Sequence, residues 1–140
     1  KLDYLVAALR SNEPAVRYWA AKGLGNIGPK AASAAKDLTP LLSDSSDNVK
    51  VAAARALCTF KRNENQALNT LAGVLDNGSQ WARLHAAIVL DEMDDQARPV
   101  LEAMRKNKAY REGMVAKGKF TVRVLNRALN DLDGTELTVP

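Results

Sequence analysis

Few residues in this chain of 140 are suited to covalent or metal chemistry, since it holds one cysteine, Cys58, and one histidine, His85. A lone cysteine excludes an internal disulfide and any cysteine-rich metal site. A lone histidine excludes a multi-histidine metal site and obliges any Ser-His-Asp arrangement to use His85. Carboxylates gather in Asp91-Glu92-Met93-Asp94-Asp95, which lacks the alternate-residue ligand spacing of a calcium loop and reads as a solvated face at a helix end. Asp91 and Asp95 share a side only if the helix continues that far. No catalytic, cofactor-binding or metal-binding residue is assigned, and no cofactor is expected.

The remaining chemistry is cationic, in two groups. Arg17, Lys50 and Arg83 are spaced at intervals of 33. Each falls at the start of a helix, where a positive charge opposes the helix dipole, so the recurrence predicts a structural ladder to acceptors in adjacent turns such as Asp44 or Asn77. The alternative is a cationic row that binds an anionic partner. The second group is Arg105, Lys106, Lys108, Arg111, Lys117, Lys119, Arg123 and Arg127, with Glu112 the one acid among them: a local charge of +7 against −3 for the rest of a chain that totals +4. Such a run is either a solvated face or a site for an anionic or acidic partner. Tyr110 and Phe120 are the only aromatics within it, which disfavours nucleic acid bound by base stacking.

These residues must be held by helices. The chain is 46% apolar and 26% charged, enough for one domain with a sizeable core, and its 5% aromatic content argues against a sandwich or barrel of aromatic strands. No apolar run approaches the roughly 20 residues needed to cross a bilayer, so no membrane contact is expected. Self-similarity at a period of 33 is the dominant pattern. Ala15-Val16-Arg17, Asn48-Val49-Lys50 and Trp81-Ala82-Arg83 are in register, as are Ala20-Ala21, Ala53-Ala54 and Ala86-Ala87. Leu24, Leu57 and Leu90 follow, then Ile27, Phe60 and Met93; His85 aligns with Trp19 and Ala52 and reads as an ordinary packed or half-exposed histidine.

Leu9, Leu42 and Leu75 each lie seven residues before the Val16, Val49 or Ala82 position, so every unit holds two periodic segments joined by a polar turn. In the second segment Val16, Ala20, Gly23, Leu24 and Ile27 form one apolar stripe at helical spacing. Ser11-Asn12-Glu13-Pro14, Ser43-Asp44-Ser45-Ser46 and Asn77-Gly78-Ser79 supply oxygen acceptors for first-turn N–H groups, and Gly28-Pro29 ends the first pair. Pro40 is expected to kink the first helix of the second unit, and Pro99 to sit in a first turn. A fourth copy at Val122-Arg123 follows with Ala128-Leu129 and Leu132 slipped by one residue. The 18 residues from Met104 to Val122, where seven are usual, leave room for an insert.

The stretch Val16-Arg17-Tyr18-Trp19-Ala20-Ala21-Lys22-Gly23-Leu24-Gly25-Asn26-Ile27-Gly28 resembles the second helix of a HEAT-like repeat, and the resemblance extends over nearly the whole chain. It implies an all-α fold, a right-handed α-solenoid of about four helix pairs, used as a protein-binding scaffold rather than an enzyme. The units run over about 1–28, 29–61, 62–94 and 95–132, with the insert near 105–120 and an extended tail at 133–140. More narrowly, Ala15–Ala21, Trp81–Ala87, Gln96–Pro99 and Arg123–Leu132 are similar to helical extensions that follow the catalytic domain of some bacterial sulfatases.

That second resemblance implies a larger sulfatase-like parent, a periplasmic or extracellular location, and docking on the parent's own catalytic domain. The start at Lys1, with Leu2, Leu5, Val6 and Leu9 already in helical register, fits a chain cut from a longer one. Sulfatases of this kind use a Cys/Ser-x-Pro-x-Arg motif, and Cys58-Thr59-Phe60-Lys61-Arg62 imitates its spacing. Phe60 replaces the proline at a core position of the repeat, however, so Cys58 is expected to be buried and inert. Protein is therefore the first expected partner, a sulfated glycan the second, and nucleic acid the least favoured.

Overall fold

The structure, a computed structural model, describes residues 2–100 and residue 102. All regular structure among these residues is helical. The α-helices are α1 (Leu2–Ala8), α2 (Pro14–Ile27), α3 (Ala35–Leu38), α4 (Asp47–Phe60), α5 (Glu64–Asn77) and α6 (Gln80–Glu92), with 3-10 segments at Gly28–Ala34, Thr39–Ser43 and Asp94–Val100. The second helices α2, α4 and α6 begin at Pro14, Asp47 and Gln80, each 33 residues after the last. No described helix is long and apolar enough to cross a membrane.

Local chemistry explains where these helices start and stop. Ser46 caps α4 by accepting from the Val49 N–H, and Ser79 caps α6 by accepting from the Ala82 N–H. The first turn of α2 is built differently. Pro14 occupies its start, where a missing N–H costs nothing, and Ser11 accepts from the Glu13 N–H one residue outside the helix. Gly28 ends α2 at φ 84° with its N–H on the Leu24 carbonyl, a conformation that favours a residue without a Cβ. At the end of α4 Lys61 takes the left-handed role itself, with its N–H on Cys58 and the Arg62 N–H on Leu57.

Prolines also decide why the first helix of the second unit is broken. Pro29 and Pro40 each open a 3-10 segment, and between them only Ala35–Leu38 is α-helical. The kink expected at Pro40 is thus a change of helix type on both sides of a single α-turn. Pro99 does not begin a helix; it lies within the 3-10 segment Asp94–Val100, where neighbouring carbonyls are bonded at closer spacing than in an α-helix.

The chain forms two compact units, Lys1–Thr70 and Leu71–Pro140, the division falling inside α5. In the first, α4 packs on α2, on α3 and on both flanking 3-10 segments, while α2 also packs on α1. Val49, Leu57, Phe60 and a set of alanines bury almost the whole circumference of α4. Helices α2 and α4 approach closely at Gly25, where an added Cβ would stand 3.3 Å from that of Ala56. In the second unit Leu71, Leu75, Ala86, Ala87 and Leu90 are fully buried. Leu24, Leu57 and Leu90, equivalent by register, are each 0% exposed.

The expected stripe on α2 needs correction at its ends. Ala20 and Leu24 are buried, but Val16 and Ile27 are exposed, whereas their counterparts Val49 and Phe60 on α4 are covered. The register is the same in both helices. The difference is the neighbourhood, since α4 packs on α2, on α3 and on two 3-10 segments, whereas the ends of the α2 stripe stay partly open among the described residues.

Candidate functional site

Arg17, at the fourth position of α2, places its guanidinium on Asp44 in the turn before α4. Its Nε donates to Asp44 Oδ2 at 2.8 Å and its Nη2 to Oδ1 at 3.0 Å, while Nη1 donates to the Ser11 carbonyl. The two side chains are only 13% and 7% exposed. The hydrogen bond to Asp44 is the main cause that raises the Arg17 pKa above its ordinary value. Burial pushes the Asp44 carboxyl upward, but bonds from Arg17 and the Ser46 N–H, with the charges of Arg17 and Lys50, outweigh it and hold the carboxyl below its ordinary value.

The other two cations of the series are placed differently. Lys50 reaches Asp47 of its own first turn at 3.4 Å. Arg83 is half-buried, and its Nε has no hydrogen-bond partner among the described residues. Geometry therefore supplies one bidentate pair, one local pair and one guanidinium without the equivalent contact. The eight basic residues Arg105, Lys106, Lys108, Arg111, Lys117, Lys119, Arg123 and Arg127 lie outside the described residues, as do the fourth copy and the tail.

Cys58 is buried near the end of α4, and desolvation, followed by the charge of Glu64, pushes its thiol up to about 12. A thiol so placed is not a nucleophile at neutral pH. His85 is half-buried on α6. Helix α6 ends at Glu92, so Asp91 and Asp95 do not share a helical side; Asp95 instead bonds Arg98 at 3.0 Å. Among the described residues no group of three or more His, Cys, Asp or Glu is arranged to hold a metal ion.

A group that sequence reading passed over lies at the junction of α2 and α4. Tyr18 and Trp19 meet edge to face with ring centroids 5.3 Å apart, and Lys22 holds its ammonium 5.1 Å from the Trp19 centroid and 5.8 Å from that of Tyr18. Pro14, Ala15, Tyr18, Trp19, Ser46 and Asn48 line a recess of about 410 Å³. Trp19 is 62% exposed, and on α6 Trp81 is 71% exposed. The available signal was bulk out of register: Trp19 stands where the next unit has Ala52, and Trp81 where it has Asn48.

Helix pairs of fixed period, alanine-packed inside and carrying exposed tryptophans on their second helices, define a helical-repeat protein of the solenoid class. The family model for HEAT repeats matches residues 35–113, more than half of the chain, and the model for the single HEAT repeat matches residues 2–31. The chain belongs to the HEAT-repeat family. No curated protein and no solved structure matches it.

Proposed function

We propose that the chain is a non-catalytic docking scaffold that binds protein through the exposed faces of its second helices. The observation that supports this most directly is the pair Trp19 and Trp81. Tryptophan is among the residue types most enriched where proteins meet, and these two are the most exposed large apolar residues of α2 and α6, at 62% and 71%. A photo-crosslinking residue placed at position 19 or 81 in the source cell should trap a protein, and one placed at Lys36 should not. Equal trapping at all three positions, or none at any, overturns the reading.

The finer form of this proposal places the scaffold at the C-terminal side of a sulfatase-like hydrolase, with the parent's catalytic domain as its occupant. Its support is the likeness carried by Ala15–Ala21, Trp81–Ala87, Gln96–Pro99 and Arg123–Leu132. A Cys/Ser-x-Pro-x-Arg motif upstream of Lys1 in the reading frame is the expected finding, and a frame of repeats alone points to a free-standing scaffold. The local +7 between Arg105 and Arg127 favours a second reading, in which that segment binds an anionic polymer such as a sulfated glycan.

A further inference from the structure

The recess at the junction of α2 and α4 combines an aromatic wall with an uneven charge balance. None of the lining residues is charged; of the acids nearby, Asp44 is held by Arg17, Asp47 by Lys50, and the exposed Glu13 acts on Arg17. Lys22, one turn beyond Tyr18 and Trp19, makes no ion pair among the described residues, and its ammonium rests over the two rings. A cation over a ring at the surface is held far more weakly than in an ion pair, so this ammonium keeps most of its capacity to attract a carboxylate.

The polar lining suits a peptide backbone. Asn48 is exposed at the second position of α4, and its amide offers both donors and an acceptor, the pattern that can meet a peptide C=O and N–H together. Ser46 already uses one lone pair on the Val49 N–H and retains its O–H to donate. A recess of about 410 Å³ is the size of a site for a few side chains.

From these observations we infer that the recess binds an acidic peptide segment of a protein partner, with an apolar side chain against Pro14, Tyr18 and Trp19 and a flanking carboxylate on Lys22. The inference rests on the docking-scaffold reading and names its partner chemistry at one site. A basic peptide would bring a like charge onto Lys22. An anionic polymer draws its affinity from a row of several cations, whereas no cation lines this recess and Lys22 stands beside it on the two rings. A second copy of the chain carries the same net charge of +4, which opposes rather than drives association.

The test selects a displayed library of random peptides on the full chain, with the Trp19→Ala variant used for counter-selection. Recovered peptides, fluorescently labelled, are then titrated by anisotropy against each variant, and in a Trp81→Phe background, where Trp19 is the only tryptophan, its emission reports binding at the recess. Recovered sequences should carry Asp or Glu beside a Leu, Phe or similar anchor. Binding should be lost in Trp19→Ala, weakened roughly tenfold or more in Lys22→Glu, retained in Lys22→Arg, and regained by Lys22→Glu when the peptide's acid is exchanged for Lys. Circular dichroism of each variant should match the wild type, since both positions lie on the helix surface. Basic or neutral consensus sequences, equal binding by Lys22→Glu, no enrichment over Trp19→Ala, or loss of self-association rather than of peptide binding in Trp19→Ala each overturn the inference. Crosslinking to protein at positions 19 and 81 without this acidic selectivity leaves the scaffold and removes the site; failure of both removes both.

Discussion

At Asp44 two opposing effects meet in one carboxyl: burial favours its neutral form, while Arg17, the Ser46 N–H and Lys50 favour the anion and prevail. Its folded pKa is below the unfolded value of about 3.9, so the stability it contributes is fully present above that value and is lost as pH falls through the folded one. Arg17 is raised, so its share is present throughout the neutral range. Urea midpoints measured from about pH 6 down to about pH 2 should fall more steeply for the wild type than for Asp44→Asn, which starts lower at neutral pH. Parallel curves would show that the pair does not govern acid stability. Leu57 has no such pH dependence: fully buried on α4, its truncation to Ala should cost about 2–5 kcal/mol by denaturant unfolding, and a loss below about 1 would place it outside the core. Leu24, Leu57 and Leu90 were legible because a register of 33 repeats their type. Trp19 and Lys22 were not, because a ring and an ammonium three residues apart on one helix carry no mark of the recess that the start of α4 completes.

Between elements, two glycines of α2 face different neighbours, Gly25 the helix α4 and Gly23 the helix α1. A Cβ at Gly25 would meet Arg55 Nη1 at 3.0 Å, Ala56 Cβ at 3.3 Å and Ala56 Cα at 3.4 Å, so the arginine tip could swing aside but the alanine moves only with its helix. At Gly23 the nearest atom is Leu5 Cδ2 at 3.4 Å, an ordinary contact at the end of a flexible side chain. Both substitutions gain about 0.5–1 kcal/mol of helix propensity. Gly23→Ala should therefore stabilise by about that amount, and Gly25→Ala should lose the gain to an overpacking cost of about 1–3 kcal/mol. Thermal melts that rank the two the other way would deny the close approach at Gly25. Spacing puts Gly23 in the apolar stripe with Ala20 and Leu24, and Gly25, two residues on, toward another side of α2; how closely each is approached needs the crossing point of two helices, which periodicity does not contain. The same limit explains Val16 and Ile27, read as interior from their spacing and found exposed, because spacing does not say how far a neighbour reaches along the stripe.

Over the whole chain, charge is distributed more unevenly than mass, with +7 between Arg105 and Arg127 and −3 elsewhere. If that segment binds an anionic polymer, counterion release makes the affinity fall steeply with salt. Heparin should bind the wild type at low salt and far less at near-physiological salt, and a variant with Lys106, Lys108, Lys117 and Lys119 changed to Ala should lose most of the binding with its helicity intact. Equal binding by both proteins removes the polymer reading. The repeat made the all-helical architecture readable from sequence, while the segments around Pro29, Pro40 and Pro99 departed from plain α-helix because proline alters hydrogen bonding locally without disturbing the apolar period. The burial of Cys58 has a further use. As the one sulfur nucleophile of the chain, with a thiol pushed up to about 12 and shielded by its own helix, it reacts with an alkylating or disulfide reagent only when α4 opens, so its labelling rate is a built-in clock for transient opening of the native state. Reagent-independent rates report how often α4 opens, and rates proportional to reagent report the fraction of time it stays open, with no probe added to a fold whose alanine seams leave little room for one.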